Sequence, residues 1–271
     1  MEKFNQQLLK QLYVPDTNSH KGQNGKVLVI GGSHLFHAAA FWSLEIASKI
    51  VDMVYFSSTP MNNEIAKKLK TIFRNGIIVS RENLEDYILE ADSILIGPGL
   101  PRPSGEEAGD DNTKILSEKF ISKFPEKRWV IDGGSLQTID PNLIPSNAIL
   151  TPHPKEFETL FNLPPTKENA KEMAKKYKCI IILKGPIDYV CSPEKTVEIS
   201  GGNAGMTKGG TGDVLAGLVA ALYTKNDAFL AATCASFINK KAGESLEKSV
   251  GIYFNASDLI SEIPKIMREL I

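Results

Sequence analysis

The stretch that most constrains the fold of this chain runs from Gly201 to Lys225. Its first half, up to Asp213, carries glycines too densely for a helix or a packed strand, so it predicts a loop. Its second half, from Val214 onward, is almost wholly apolar and predicts a buried helix. The sequence therefore predicts a glycine-rich loop that leads directly into the N-terminus of a buried helix.

Asp213 lies at the junction of this loop and helix, where an N-cap or first-turn carboxylate is expected. A cap and a turn would explain one Asp after one Gly, but not the four glycines between Gly205 and Gly212. Small residues let a phosphate approach the backbone, and the amides of Gly210, Thr211 and Gly212 would point outward from the helix N-terminus. Because an Asp beside a phosphate would repel it, Asp213 is instead a candidate general base on the acceptor side.

The composition excludes several classes of protein. The chain has 271 residues, of which 42% are hydrophobic, enough for one large α/β domain or two small ones. Its 31 basic and 32 acidic residues nearly balance, which argues against nucleic acid or an acidic membrane surface as partner. No run reaches membrane-spanning length, and the segment from Met1 to Gln7 is not a signal peptide. The three dispersed cysteines lack metal-type spacing and predict a reduced, cytoplasmic protein.

Apolar runs of strand type alternate with segments of helical periodicity. The predicted strands lie at residues 26–30, 54–56, 77–79, 94–96, 129–131 and 179–183, with a hairpin at 189–190 and 196–198. The predicted helices lie at residues 38–51, 64–73, 82–90, 156–161 and 167–177, with one that ends at 124, a short amphipathic one before residue 16, and helices after the central loop. No repeat or linker divides the chain, so we expect one domain, a helix–sheet–helix sandwich whose mainly parallel sheet binds ligands at the strands' carboxyl ends.

Six short motifs, in order along the chain, carry a resemblance to a known family. They are Gly31-Gly32-Ser33, Ile96-Gly97-Pro98-Gly99-Leu100, Asp132-Gly133-Gly134, Thr151-Pro152-His153-Pro154-Lys155-Glu156-Phe157, Leu183-Lys184-Gly185 and Gly209-Gly210-Thr211-Gly212-Asp213. The last resembles the Asp-terminated glycine motif of the ribokinase-like superfamily. Together they resemble the NAD(P)H-hydrate dehydratases, which repair hydrated nicotinamide cofactors with the help of a nucleotide.

This resemblance spans roughly residues 25 to 265. It implies a ribokinase-like three-layer α/β/α sandwich with a central, mainly parallel sheet. It also implies a single domain over residues 1–271 without a fused epimerase domain, since only about 25 residues precede the first strand. Any epimerase that serves the same pathway would then be a separate chain.

The resemblance also implies roles for individual residues, with Asp213 as the catalytic base. The residues that it places against the hydrated cofactor are Ala39, Gly99, His153 and Asp213. The residues that it places against the adenine nucleotide are Lys184, Gly185, Pro186, Ile187, Asp188, Gly209, Gly210, Thr211 and Gly212. Glu156 would hold Mg²⁺ through water near the nucleotide phosphates. The family usually has Pro-Gly where this chain has His37-Ala38, so we expect a differently shaped wall at Ala39.

Three of the polar residues also have a structural interpretation. Glu156 can be a first-turn carboxylate stabilised by the helix dipole. Lys184 can be a lysine that extends to solvent from a strand end. Asp132 can cap a loop, or it can have a structural or metal-shell role.

The loops after the first strands are also ambiguous. Gly31-Gly32-Ser33 lacks the spacing of a dinucleotide fingerprint and can be an ordinary strand-to-helix turn. Gly99 can likewise belong to a plain turn. His34 and His37 are expected to be solvated loop histidines.

The implied reaction is the dehydration of hydrated NADH or NADPH. Hydroxide is a poor leaving group and phosphate a good one, so Asp213 would take the proton of the ring hydroxyl while its oxygen attacks the terminal phosphoryl group of the nucleotide. The amides of Gly210 to Gly212, with Mg²⁺, would stabilise the developing charge. The ring nitrogen would then expel phosphate. ADP is the expected donor, giving AMP, and these residues leave ATP open.

The resemblance further implies a homo-oligomer, such as a tetramer, that is functionally linked to the separate epimerase chain. Two other functions stay open. A small-molecule kinase of the same superfamily, of the hydroxyethylthiazole or hydroxymethylpyrimidine type, would release a stable phosphorylated alcohol. A nucleotide-binding module without turnover is the other, and the intact Asp213 argues against it.

Overall fold

Ten strands form one sheet across residues 2–271, which are the residues that the computed structural model describes. They are β1 (Glu2–Lys3), β2 (Lys26–Ile30), β3 (Met53–Ser57), β4 (Ile77–Val79), β5 (Ser93–Ile96), β6 (Arg128–Ile131), β7 (Ile149–Leu150), β8 (Ile180–Leu183), β9 (Asp188–Cys191) and β10 (Thr196–Ile199). Their order across the sheet is β1-β10-β9-β8-β7-β6-β5-β2-β3-β4. Among these strands β9 alone runs antiparallel to its neighbours, as the predicted hairpin requires. Met1, with which the predicted domain begins, lies outside the described residues.

Ten α-helices connect and cover the strands of the described chain. They are α1 (His37–Ala47), α2 (Pro60–Leu69), α3 (Leu84–Glu90), α4 (Thr113–Lys123), α5 (Gly133–Leu136), α6 (Pro154–Phe161), α7 (Lys167–Tyr177), α8 (Thr211–Tyr223), α9 (Ala228–Val250) and α10 (Ala256–Leu270). Short 3-10 helices lie at Gln6–Gln11, Arg81–Asn83, Pro103–Gly105, Pro141–Leu143 and Ala204–Thr207. A length and hydropathy sufficient to cross a membrane are found in no helix of residues 2–271.

The side chains of the central strands point alternately into two apolar cores, one on each face of the sheet. Val27 and Val29 of β2 pack with α1, α2, α8, α9 and α10, whereas Leu28 and Ile30 pack with α3 to α7. All four of these side chains are fully buried, as expected for a parallel strand with helices on both faces. The predicted three-layer α/β/α sandwich is therefore confirmed.

The helix predicted after the glycine-rich loop is α8. Its residues from Val214 to Tyr223 are all buried. It packs on the sheet at β5 and β6 and is covered by α1 and α9. A helix enclosed in this way must be apolar around its whole circumference, which is the pattern that the sequence carries.

Three predicted helix boundaries are wrong by four residues: the start of α2, its end, which is at Leu69 rather than residue 73, and the end of α1. α2 begins at Pro60 rather than at residue 64, because Thr59 Oγ1 accepts the Asn62 N–H at 3.3 Å and proline suits the first helical position. α1 ends four residues before the predicted residue 51, because the N–H groups of Lys49 and Ile50 bond to carbonyls three residues back and tighten the last turn.

The predicted amphipathic helix near the N-terminus is also wrong. Residues Glu2–Lys3 form a strand that pairs in parallel with β10, and Gln6–Gln11 form a 3-10 helix. In a 3-10 helix residues three apart share one side, and Leu9 and Leu12 are both buried. The spacing of the apolar residues in this segment therefore matches a 3-10 helix rather than an α-helix.

Gly217 allows α8 to approach the backbone of α1. A Cβ at this position would lie 2.6 Å from the carbonyl oxygen of Ser43 and equally close to Ile46 Cγ2. One turn earlier on α8, the Ser43 hydroxyl donates to the carbonyl oxygen of Asp213 at 2.9 Å. The close approach thus fixes the first turn of α8 against α1.

Replacement of Gly217 by valine is expected to destabilise the protein by about 1–3 kcal/mol, because the added methyl groups have no space against α1. Urea unfolding measures the change. Gly105→Ala is the matched control, because a Cβ there meets nothing within 4 Å. Its expected effect is within about 0.5 kcal/mol. Equal stability of Gly217→Val and the wild type would show that the helices do not need this close approach.

Candidate active site

Three polar residues lie at the carboxyl edge of the sheet, each directly after a strand. Asp132 follows β6, Thr151 follows β7, and Lys184 follows β8. Because these parallel strands are neighbours, the side chains meet. Asp132 Oδ1 accepts the Thr151 hydroxyl at 2.7 Å and the Lys184 ammonium group at 3.1 Å. This is the edge of a parallel sheet at which ligands bind.

Lys184 is the cation of a carboxylate cluster, which consists of Asp132, Glu156 and Asp213. Its Nζ lies 3.1 Å from Asp132 Oδ1 and 4.0 Å from Glu156 Oε2, and its side chain is only 18% exposed. Burial alone would lower the pKa of Lys184, but the three carboxylates outweigh burial and raise it. The interpretation of Lys184 as a lysine extending to solvent is therefore wrong.

His153 and Glu156 form a reciprocal cap at the start of α6. His153 Nδ1 accepts the N–H groups of Lys155 and Glu156 at 3.1 and 3.2 Å, and Glu156 Oε2 accepts the His153 N–H at 2.9 Å. This capping box gives Glu156 the structural role that its sequence position allowed. Burial raises the pKa of Glu156 while Lys184 opposes the rise. Burial and the charge of Lys184 lower the pKa of His153.

Asp213 occupies the first turn of α8, as predicted. In the described chain no side chain caps this helix, whose N-cap residue is Gly210 with a φ of 95°. A side chain at Gly210 would be strained at this φ and would meet the ring of Trp42 at 2.5 Å. The Thr211 amide donates to the Lys208 carbonyl oxygen at 3.4 Å, and the amide of Gly212, which has no such backbone partner in the described chain, is available to a ligand. Burial, followed by the negative charge of Asp132, raises the pKa of Asp213 to about 7.

The N-terminus of α8 adjoins Lys184. A Cβ on Gly212 would lie 3.3 Å from Lys184 Nζ. The positive end of the helix dipole and the ammonium group together favour an anion at this point. The Thr211 hydroxyl instead lies 2.6 Å from the Met206 carbonyl oxygen and 2.9 Å from that of Lys208. It therefore stabilises the loop.

A cavity of about 620 Å³ opens beside the N-terminus of α8. Of the residues predicted to contact the nucleotide, those in its wall are Lys184, Gly185, Pro186, Asp188, Thr211 and Gly212. His153, predicted to contact the hydrated cofactor, also lies in the wall. Ile187, Gly209 and Gly210 do not: Ile187 is 40% exposed, and Gly210 packs on Trp42.

A buried lysine that the sequence analysis missed, Lys240 of α9, holds part of the cavity wall in place. It is 6% exposed, and its Nζ lies 3.3 Å from Asp188 Oδ1 and 2.9 Å from the carbonyl oxygen of Gly185. The Ser236 hydroxyl donates to Asp188 Oδ2 at 2.7 Å. A signal was available, because Ser236 and Lys240 are four residues apart on one face of a largely apolar helical stretch.

The remaining two residues predicted to contact the hydrated cofactor, Ala39 and Gly99, are neighbours. A Cβ on Gly99 would lie 3.1 Å from that of Ala39. The Ser43 hydroxyl is 3.3 Å from the Ala39 carbonyl oxygen and 2.9 Å from that of Asp213. The main chain of Asp213 is therefore linked through Ser43 to the helix that carries Ala39, and Asp213 directly follows Gly212 of the cavity wall.

Two expectations, those for His34 and His37, are wrong, and one of the alternatives for Asp132, the cap, is excluded. His34 and His37 are not solvated, since His34 Nδ1 lies 2.7 Å from Asp110 Oδ1 and His37 Nδ1 lies 3.1 Å from Asn62 Oδ1. Asp132 precedes α5 but makes no capping hydrogen bond to it. Each of these side chains is instead engaged by a partner from another part of the chain.

The carboxylate cluster offers oxygen atoms to a cation without forming a protein-only metal site. Over residues 2–271, no group of three or more His, Cys, Asp or Glu side chains is placed to hold a metal ion. Mg²⁺, however, is usually held by one or two carboxylates together with water and substrate phosphates. Because three carboxylates face one lysine, an additional cation would offset their mutual repulsion. The cluster therefore fits a Mg²⁺ that binds together with a phosphate ligand.

Comparison with known proteins gives one consistent family. Residues 27–265 match the family model for NAD(P)H-hydrate dehydratase. The chain is 39% identical over 268 residues to the bifunctional NAD(P)H-hydrate repair enzyme Nnr of Methanocaldococcus jannaschii, covering 96% of this chain and 51% of the relative. It is 31% identical over 279 residues to the ADP-dependent (S)-NAD(P)H-hydrate dehydratase of Nitrosopumilus maritimus, covering 96% and 95%. The chain thus spans about half the length of the bifunctional relatives.

A solved structure shares the fold over the whole chain. The ADP/ATP-dependent NAD(P)H-hydrate dehydratase of Bacillus subtilis, co-crystallised with ATP and Mg²⁺, has a TM-score of 0.82 at 21% identity. The match covers 100% of this chain and 99% of that one. At this identity the likeness concerns the fold alone.

The raised pKa of Asp213 predicts how the stability of the protein depends on pH. Between the unfolded pKa of about 3.9 and the folded pKa of about 7, the folded protein binds more protons at this residue. The wild type should therefore lose stability as pH rises through this interval, whereas Asp213→Asn has no such proton to lose. Thermal unfolding should be measured at about pH 5 and about pH 8. The stability of Asp213→Asn relative to that of the wild type should be higher at the higher pH.

Asp86→Asn is the matched control, because Asp86 is an exposed residue in the first turn of α3. Its difference from the wild type should be nearly the same at both pH values. If Asp213→Asn also kept a constant difference, Asp213 would titrate with an ordinary pKa, and the electrostatic description of the cluster would be wrong.

Proposed function

The chain belongs to the NAD(P)H-hydrate dehydratase family, and we propose that it dehydrates hydrated NADH or NADPH with an adenine nucleotide as phosphoryl donor. The observation that carries the proposal is the position of Asp213. Asp213 lies in the first turn of an uncapped helix N-terminus that adjoins Lys184, directly after Gly212 of the cavity wall. Its main chain is tied through Ser43 to the helix that carries Ala39. The cavity on the side of Gly212 would take the nucleotide, and the surface of Ala39 and Gly99 would take the nicotinamide ring.

Asp213 is the general base in this reaction. It takes the proton of the ring hydroxyl while the hydroxyl oxygen forms a bond to the terminal phosphorus atom of the nucleotide. The bond from this phosphorus to the bridging oxygen breaks, and the shortened nucleotide leaves. A base with a pKa of about 7 combines a substantial ionised fraction at neutral pH with a high affinity for the proton.

Lys184 and the amides at the start of α8 stabilise the phosphoryl group during transfer. They present positive charge and N–H donors to one point, where the negative charge of the transferring group develops. A Mg²⁺ bound beside the phosphates would be held by Asp132 and by Glu156 through water, and it would supply further charge neutralisation.

Elimination completes the reaction. The phosphorylated oxygen is now part of a good leaving group, so the lone pair of the ring nitrogen expels phosphate as the C–O bond breaks. Loss of a proton from the adjacent ring carbon restores the dihydropyridine. With ADP as donor the products are NADH or NADPH, AMP and phosphate.

The direct test supplies the purified protein with hydrated NADH, ADP and Mg²⁺ and follows the near-ultraviolet absorbance of NADH. Absorbance should return in the wild type, and Asp213→Asn should lower the turnover by about 10²–10⁴-fold while it still binds ADP. Asp86→Asn, the same change in the first turn of another helix, should turn over at the wild-type rate. A stable phosphorylated product without recovery of absorbance would identify a small-molecule kinase instead.

Lys184→Met tests the phosphate partner, because it keeps the length of the side chain and removes the charge. ADP affinity, measured by calorimetry, should fall about 10-fold or more through loss of a charge-assisted contact. Affinity for hydrated NADH should change little. Lys155→Met removes a charge from an exposed position in the first turn of α6 and should leave ADP affinity unchanged.

The double variant Lys184→Met, Asp132→Asn separates lost attraction from new repulsion. In the single variant the buried Asp132 carboxylate loses its partner at 3.1 Å and would repel phosphate. The asparagine can still accept the Thr151 hydroxyl, so the double variant should recover part of the lost affinity. Equal losses for ADP and hydrated NADH in both variants would remove Lys184 from the nucleotide site.

A further inference from the structure

The ammonium group of Lys240 is enclosed by oxygen atoms of the protein. Its Nζ lies 2.9 Å from the carbonyl oxygen of Gly185, 3.3 Å from that of Pro186 and 3.4 Å from that of Gly201. The fourth oxygen is Asp188 Oδ1, at 3.3 Å. An ammonium group has three protons to donate, so four oxygens exceed what it can pair with one by one. The arrangement is that of a small cation inside a shell of oxygen ligands.

The three carbonyl groups belong to two different loops in the wall of the cavity. Gly185 and Pro186 lie in the turn between β8 and β9, and Gly201 lies in the loop that follows β10. The last backbone pair between β9 and β10 is Asp188 with Ile199. Beyond this pair, across residues 2–271, no hydrogen bond between backbone groups joins the two loops. The ammonium group therefore connects the loops where the backbone does not.

Asp188 balances the charge of Lys240 and is itself held on two sides. Its Oδ1 accepts the Gly185 N–H at 2.9 Å, and its Oδ2 accepts the Ser236 hydroxyl at 2.7 Å. Burial of the ammonium group would be costly without such a carboxylate. Because its charge is balanced and its protons are directed at protein oxygens, Lys240 is poorly placed to bind a phosphate group. Its role therefore differs from that of Lys184, which adjoins the uncapped start of α8.

We propose that Lys240 is a positioning residue that acts as a built-in monovalent cation, joining the two loops so that the cavity keeps the shape that takes the nucleotide. This inference rests on the proposed function, in which the cavity beside Gly212 binds the donor. Gly185 directly follows Lys184, so the turn that Lys240 holds also carries the predicted phosphate partner. On the other side the stem of Lys240 packs at Gly202, where a Cβ would lie 3.5 Å from its Cγ. A wall that is fixed before the ligand arrives loses less conformational entropy on binding.

Lys240→Ala tests the proposal by chemical rescue, because the substitution removes the atoms of a propylammonium ion. ADP affinity, measured by calorimetry, should fall about tenfold in this variant, since the ligand must now order the loops itself. Added propylammonium chloride should restore part of the affinity by placing a free ammonium group among the four oxygens. Propanol, which has the same length without the charge, should not restore it, and neither should tetramethylammonium chloride at the same ionic strength.

Turnover separates positioning from a general loss of structure. In Lys240→Ala the KM for ADP should rise about tenfold while kcat changes little, as expected when binding alone is weakened. The KM for hydrated NADH should stay near that of the wild type, because Ala39 and Gly99 are not in the wall of this cavity. Lys248→Ala is the matched control, because it removes an exposed lysine from the last turn of the same helix. It should leave both KM values unchanged.

The double variant Lys240→Met, Asp188→Asn nearly keeps the volume of both side chains and removes both buried charges. It separates the lost connection from repulsion of phosphate by an unpaired Asp188 carboxylate. It should fold even if Lys240→Ala does not, because no buried charge is left without a partner. Its ADP affinity should still lie about tenfold below that of the wild type, because methionine cannot bind the three carbonyl oxygens.

Three results would overturn the inference. They are wild-type ADP affinity in Lys240→Ala, wild-type ADP affinity in the double variant, and a loss that propylammonium restores no better than propanol does. If the wild type bound ADP without recovery of NADH absorbance, the proposed function would be wrong, and the ADP affinities would still decide the inference. If the wild type did not bind ADP, both would be wrong.

Discussion

The ion pair between Lys184 and Asp132 is the interaction on which the candidate site depends. It joins the carboxyl ends of β6 and β8 across the short strand β7. A buried pair of this kind is a doubtful source of net stability, because removing the two charges from water offsets their attraction. Its value here is electrostatic, since it leaves Asp213 and Glu156 beside a lysine whose charge is shared with Asp132. The raised pKa values of these two carboxyl groups, caused first by burial, depend on that shortage of positive charge.

The sequence predicted those features that depend on local pattern. The strand at Lys26–Ile30, the helix at Lys167–Tyr177 and the buried helix α8 follow from the periodicity and length of apolar runs. The carboxyl edge of the sheet could also be predicted as the ligand edge, because the glycine and polar motifs all follow strands. The roles of the individual site residues, including Asp213, stay predictions.

The sequence could not predict contacts that depend on the order of strands and on helix packing. Lys184 and Asp132 are 52 positions apart, and their contact depends on the order β6-β7-β8. His34 and Asp110 are 76 positions apart and meet only because one loop folds over another. Lys240 was missed because a lysine within an apolar helix is ordinarily taken for a solvated side chain whose stem alone is buried.

The cap at the start of α6 determines which hydrogen bonds His153 can offer. Because Nδ1 accepts two backbone N–H groups, the proton of the neutral ring must be on Nε2, and this assignment follows from the bonding pattern. The ring therefore presents a donor at Nε2, which lies 3.4 Å from Glu156 Oε1. A ligand atom that pairs with Nε2 must be an acceptor such as a phosphate or amide oxygen. Protonation of Nδ1 would point a hydrogen at the two amides that it now accepts, so acid would loosen the start of α6 at the place where Glu156 is held.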